Sequence, residues 1–106
     1  MNKYLIQFEA LQWIIPAKGI RYKEYSTQRQ RIRLAEFSEG FVEADWCTKG
    51  HTGFVLDGTF KINFSGKEVR FKTGDGLWIP KDELHKHKAI LGKGEKVRLI
   101  LFEELD

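Results

Sequence analysis

From residue 31 onward, apolar and polar positions alternate with a period of two in short runs, and glycine, asparagine or aspartate punctuates them. That period belongs to strands with one face buried. Phe60, Ile62 and Phe64 fall on one face of the run Thr59 to Phe64, with Lys61 and Asn63 on the other. Ser65-Gly66 then turns the chain into Lys67 to Phe71, so a hairpin is expected there. The same reading places strands at Arg31 to Phe37, Phe41 to Trp46, Gly53 to Leu56, Leu77 to Ile79, His85 to Leu91 and Val97 to Phe102. Asp57-Gly58 reads as the turn of another hairpin, since that dipeptide suits positive φ at both central residues. Pro80 closes the strand before it, because proline cannot donate to a central ladder.

The first thirty residues are less periodic. Tyr4 to Phe8 and Ile20 to Tyr25 read as strands, and Ala10 to Ile14 as one helical turn before Pro16. The C-terminal Glu103-Glu104-Leu105-Asp106 reads as a solvated end. Many short strands at roughly 8 to 12 residue intervals point to an all-β sandwich or barrel. A length of 106 residues, 42% of them hydrophobic and including eight Phe, three Trp and three Tyr, suits one core and one domain. Residues 1–30 form its N-terminal strands or extension, and residues 31–102 the barrel core.

Charge changes this picture little. The net +3 comes from 18 Lys and Arg against 15 Asp and Glu, interspersed along the chain, which is no nucleic-acid footprint. Arg21, Lys23, Arg31 and Arg33 make the N-terminal third the more basic part and read as an exposed strand face; they would clamp an anion only by reaching a barrel mouth. No apolar run is long enough to cross a membrane, and no basic-then-apolar leader opens the sequence, so a cytoplasmic location is expected. Cys47 is the single cysteine, which excludes an intrachain disulfide and leaves a thiol for packing, metal or redox chemistry.

The segment with chemical content runs Asp45-x-Cys47, three residues, His51, six residues, Gly58; a second runs Gly74, five residues, Pro80-x-Asp82, two residues, His85, three residues, Ala89. These two segments resemble the paired motifs of the cupin family, whose first motif carries His-x-His, then Glu, then Gly. The second family motif runs Gly, Pro-x-Gly, His, Asn at the same spacing. The resemblance implies an all-β, cupin-type jelly-roll barrel (a double-stranded β-helix, RmlC-like) and a metal site made of Asp45, Cys47, His51 and His85. Three of these four positions depart from the family's residue type, yet each replacement is itself a metal ligand. Asp45 and Cys47, two apart on a strand, would share a face. His85 and His87 form a similar pair, with His87 the reserve ligand if Asp45 is too short to reach. Thiolate and imidazole donors favour zinc or iron(II) over magnesium or calcium.

Each residue also has a plainer reading. Cys47 acts as a small hydrophobe, the histidines hydrogen-bond inside a polar pocket, and Lys49 is solvated rather than lowering the thiol pKa or meeting an anion. Trp46 and Trp78 read as core or dimer-contact aromatics. The resemblance leaves two functions side by side: a barrel that binds a divalent metal and a small polar or anionic molecule and either acts on it, the family including isomerases and dioxygenases, or senses it; or a metal-free, non-catalytic ligand-binding or sensory barrel. The resemblance also implies a homodimer paired through its sheets.

Overall fold

The computed structural model describes residues 4–105. Eight strands run β1 (Ile14–Ala17), β2 (Ile20–Ser26), β3 (Gln30–Ser38), β4 (His51–Phe64), β5 (Lys67–Lys72), β6 (Gly76–Ile79), β7 (Lys88–Ile90) and β8 (Lys96–Glu104), with two short 3-10 turns at Phe8–Ala10 and Glu83–His85. Every pairing is antiparallel. The first half of β4 lies between β8 and β6, extending a sheet that continues through β3, β2 and β1; its second half lies between β5 and β7. One long strand therefore belongs to both walls of a curled, all-β structure. No helix among the described residues is long and apolar enough to cross a membrane.

The passage of β4 between walls corrects one expectation. Asp57-Gly58 is not a hairpin turn but the middle of this strand. Val55 pairs with Leu99 and Asp57 with Arg98, so Leu56 is an extra residue in a β-bulge. Gly58 follows at φ +96°, where a Cβ would lie 2.1 Å from the Lys96 carbonyl oxygen. Gly58 supplies a positive φ here just as it would in an I′ turn, which is why the dipeptide misleads. The true hairpin is at Ser65-Gly66, whose φ values of 57° and 108° are both positive, between Phe64 and its partner Lys67.

The core is a band of inward side chains. Ala35, Leu99 and Val55 lie across neighbouring strands in one row, and Phe60, Ile62, Leu77, Ile79, Val97 and Leu101 complete the buried cluster. Burying each of the larger of these contributes about 1.5–3 kcal/mol. Phe60, Ile62 and Phe64 face this core as their alternation predicts.

In β3 the alternation is the reverse of the expected one. Ala35 pairs with Leu99 and Phe37 with Val97 on the core side, so Arg31 and Arg33, in the same phase, also face inward. Their side chains are only 19% and 17% exposed, so they are not an exposed strand face. The apolar Ile32 and Leu34 are in the opposite phase, alongside Phe102 and Ile100 of β8. Trp78, Thr52, Phe102, Ile32 and Tyr25 form an outward row, with Phe54, Ile100 and Leu34 in the next. Trp78 is 83% exposed and Phe102 and Phe54 each 45%, so Trp78 is no core aromatic.

Two further expectations change. Residues 41–46 form no strand: Lys88 Nζ donates to the Ala44 carbonyl and the Glu43 carboxylate accepts from the Ala89 N–H, so side chains occupy the groups a ladder would use. Tyr4 to Phe8 is likewise not a strand; the first one is β1, each of whose residues is exposed.

Candidate metal centre

Three short features bring the chemistry together. The chain after β3 touches the segment after the Glu83–His85 turn through one isolated bridge, in which Cys47 N–H donates to the His87 carbonyl (2.9 Å) and His87 N–H to the Cys47 carbonyl (3.0 Å). Cross-strand partners sit close enough for their side chains to meet. His51 opens β4, whose register on β6 and β8 positions its ring beside theirs. Ligand atoms of Cys47, His51 and His87 all lie within 4.8 Å of one another, and Cys47 Sγ is 3.6 Å from His51 Nε2.

Asp45 and His85 are not brought to this group. Asp45 is exposed in the irregular segment, where the two-residue period of a strand does not operate. His85 lies on the 3-10 turn, side chain 45% exposed, with its Nδ1 2.6 Å from Asp82 Oδ1. Asp82 also caps that turn by accepting from the His85 N–H at 2.9 Å. His87 takes the inward place instead. The pair His85-x-His87 is visible in the sequence, but only the bridge to Cys47 tells which member turns in.

Both inward rings have one nitrogen engaged. His87 Nδ1 is 3.0 Å from the His85 carbonyl oxygen, an acceptor, so Nδ1 carries the proton and the other ring nitrogen is left to face Cys47. His51 Nδ1 is 2.6 Å from Glu103 Oε2, a close charge contact with the N–H aimed off the oxygen rather than squarely at it. Glu103 is 6% exposed, which corrects the reading of the C-terminus as a solvated end. The alternation Val97, Leu99, Leu101 simply continues inward to it along β8. Arg31 Nη2 and Arg33 Nη2 each meet this carboxylate at 2.7 Å. Glu103 was the functional residue most hidden in the sequence, and the period of β8 was the signal for it.

The titrations follow from this packing. For the Cys47 thiol, hydrogen bonds from His51 and His87 outweigh burial, and the pKa falls to about 6. Burial works against a charged His51, but Cys47 and Glu103 together raise it to about 9. Burial also opposes Glu103 ionisation, yet His51 and Arg33 hold its pKa at about 2. For His87, burial is overcome by Cys47 and the His85 carbonyl, and the shift is upward. Between about pH 6 and 9 the metal-free group is therefore a thiolate beside an imidazolium.

The three residues fit a divalent ion of the zinc or iron kind. A thiolate and two imidazoles form a donor set with a coordination position left open. Histidine ligands typically give their other ring nitrogen to a carboxylate or a main-chain carbonyl, and Glu103 and His85 supply one of each. The group lines a cavity of about 370 Å³, together with Tyr22, Arg31, Arg33, Glu43 and Lys49.

No family model matches the chain, and no curated protein matches it. Solved structures do. The polyketide cyclase RemF from Streptomyces resistomycificus is similar over 100% of this chain and 81% of its own, with TM-score 0.81 and 17% sequence identity. An RmlC-like cupin from Shewanella frigidimarina NCIMB 400 is similar over 97% and 91% of the two chains, with TM-score 0.74 and 18% identity. KdgF from Halomonas sp. is similar over 92% of each, with TM-score 0.70 and 22% identity.

Proposed function

Since the chain has a cupin fold, we propose that it is a metal-dependent barrel enzyme acting on a small polar molecule in the cavity. Cys47 Sγ and one ring nitrogen each of His51 and His87 would hold zinc or iron. The observation that carries this reading is the engaged Nδ1 of both histidines, at Glu103 and at the His85 carbonyl, with the remaining nitrogens on the Cys47 side. When bound, the metal supplies Lewis acidity or lowers the pKa of a bound water. Glu103 fixes the His51 ring and balances its charge, and Arg31 and Arg33 fix Glu103 in turn. Polyketide cyclase is the named activity of one structural neighbour at 17% identity, and that likeness supports the fold rather than a substrate.

One specific observation favours a second reading. Cys47, His51 and Glu103 form a line in which a thiolate is paired with an imidazolium backed by a carboxylate, and such a line functions without metal as a polar binding site. Metal content separates the two. Protein purified without added metal or chelator is expected to carry about one zinc or iron per chain. Cys47→Ser and His87→Ala lose that metal, whereas His85→Ala and Asp45→Ala keep it. A folded protein that stays metal-free after zinc and iron(II) supplementation removes the proposal; so does metal retained in both Cys47→Ser and His87→Ala.

A homodimer is part of the proposal, with a second copy covering the apolar outer rows around Trp78 and Phe102. A patch of this kind marks an association surface. Sedimentation should show a dimer, and Trp78→Lys combined with Phe102→Lys should give a folded monomer; a wild-type monomer at high concentration refutes this part.

A further inference from the structure

Hydrogen-bond donors outnumber acceptors at one end of the cavity. The inward phase of β3 brings Arg31 and Arg33 to it; Glu103 serves both guanidiniums and His51, and Glu24 lies 3.7 Å from Arg31 Nη1. Arg33 Nη2 is used in that contact, and its guanidinium lies 5.0 Å over the Tyr22 ring, which holds its plane. Arg33 Nε is buried and has no acceptor. Lys49 lines the same cavity and makes no side-chain ion pair among the described residues. The other carboxylate there, Glu43, already accepts from the Ala89 N–H. Arg31, Arg33 and Lys49 thus line the cavity together with Glu43, and the carboxylates of Glu43 and Glu103 are both engaged.

Buried donors are almost always paired, and one without an acceptor marks a local excess of donors. We infer that this end of the cavity is a carboxylate subsite: the small molecule taken by the barrel is an organic acid whose carboxylate oxygens accept from the Arg33 guanidinium and Lys49 Nζ, which both line it. The two oxygens of a carboxylate match two spare donors, whereas a phosphate monoester brings nearly two charges and three acceptor oxygens. The volume of about 370 Å³ is near the lower end of ligand pockets, which suits a molecule of a few carbons. The inference deepens the proposed function by naming the class of molecule, and it rests on that reading only for the cavity being the site.

The test is calorimetric titration of the purified protein with glycolate, with ethylene glycol as its uncharged counterpart, and with inorganic phosphate, the metal content of each sample being measured. Glycolate is expected to bind at least about tenfold more tightly than either of the others. Arg33→Gln should weaken glycolate roughly tenfold or more, the usual effect of removing a hydrogen bond to a charged group. Lys49→Ala, on an exposed segment where folding is not at stake, should weaken it several-fold. Ethylene glycol or phosphate binding as tightly as glycolate overturns the inference, as does unchanged glycolate binding in Lys49→Ala and in folded Arg33→Gln. Glycolate binding that depends on Arg33 and Lys49 in a barrel unable to take up metal overturns the metal reading and leaves the subsite. Metal held without discrimination among the three probes overturns the subsite and leaves the metal reading.

Discussion

Glu103→Ala is expected to lower the stability of the metal-free protein by about 3–5 kcal/mol in urea denaturation, the loss typical when one partner of a buried ion pair is removed. The carboxylate is 6% exposed and meets Arg31, Arg33 and His51 at 2.6 to 2.7 Å. Without it, two guanidiniums and an imidazolium face one another at the barrel interior. Glu103→Gln keeps an acceptor and should lose less, but it removes a pH dependence. The folded-state pKa of Glu103 is about 2, below its ordinary 4.5. A depressed carboxyl contributes its stability above about pH 4.5 and loses it as pH falls toward 2, a contribution on the order of 3 kcal/mol. Wild type should therefore weaken steeply across that window, and Glu103→Gln much less. A Glu103→Ala protein within about 1 kcal/mol of wild type, the usual range for a surface ion pair, would mean that the network is solvated rather than buried.

Gly58→Ala should cost at least about 3 kcal/mol, with Gly66→Ala as its internal control at about 1 kcal/mol. Both glycines have positive φ, 96° and 108°. Only Gly58 is crowded, with the Lys96 carbonyl oxygen 2.1 Å from a Cβ and Val97 Cα 2.9 Å away; nothing lies within 4 Å of a Cβ on Gly66. The excess at Gly58 measures how closely β4 and β8 approach at the bulge where β4 changes walls. Equal losses at the two positions, read from denaturation midpoints at unchanged m, would show that the backbone there relaxes freely.

Most of the strands and the Ser65-Gly66 hairpin were legible because local chemistry decides them. Phe60, Ile62 and Phe64 against Lys61 and Asn63 specify a half-buried strand whatever surrounds it, and Ser65-Gly66 specifies its turn. Sidedness in β3 was not legible in this way. Alternation separates Arg31 and Arg33 from Ile32 and Leu34, but which set faces inward depends on β8 and on Glu103, 70 residues or more away. A polar interior and an apolar exterior reverse the usual assignment without changing the period. The site was half legible. Cys47 and His51 come from the motif spacing. His85 and His87 are separated by a main-chain event, a 3-10 turn capped by Asp82 followed by a bridge, which no spacing encodes. Asp45 depended on a strand that Glu43 and Lys88 prevent by occupying its neighbours' backbone partners.

The bridge between residues 47 and 87 has one more implication. Its two bonds are made entirely by peptide groups, so the spacing between these positions does not depend on which side chains they carry. The barrel holds two sockets whose contents are exchangeable. Replacing sulfur by imidazole, or imidazole by carboxylate, would change the preferred ion and the charge presented to the cavity while the frame kept its dimensions.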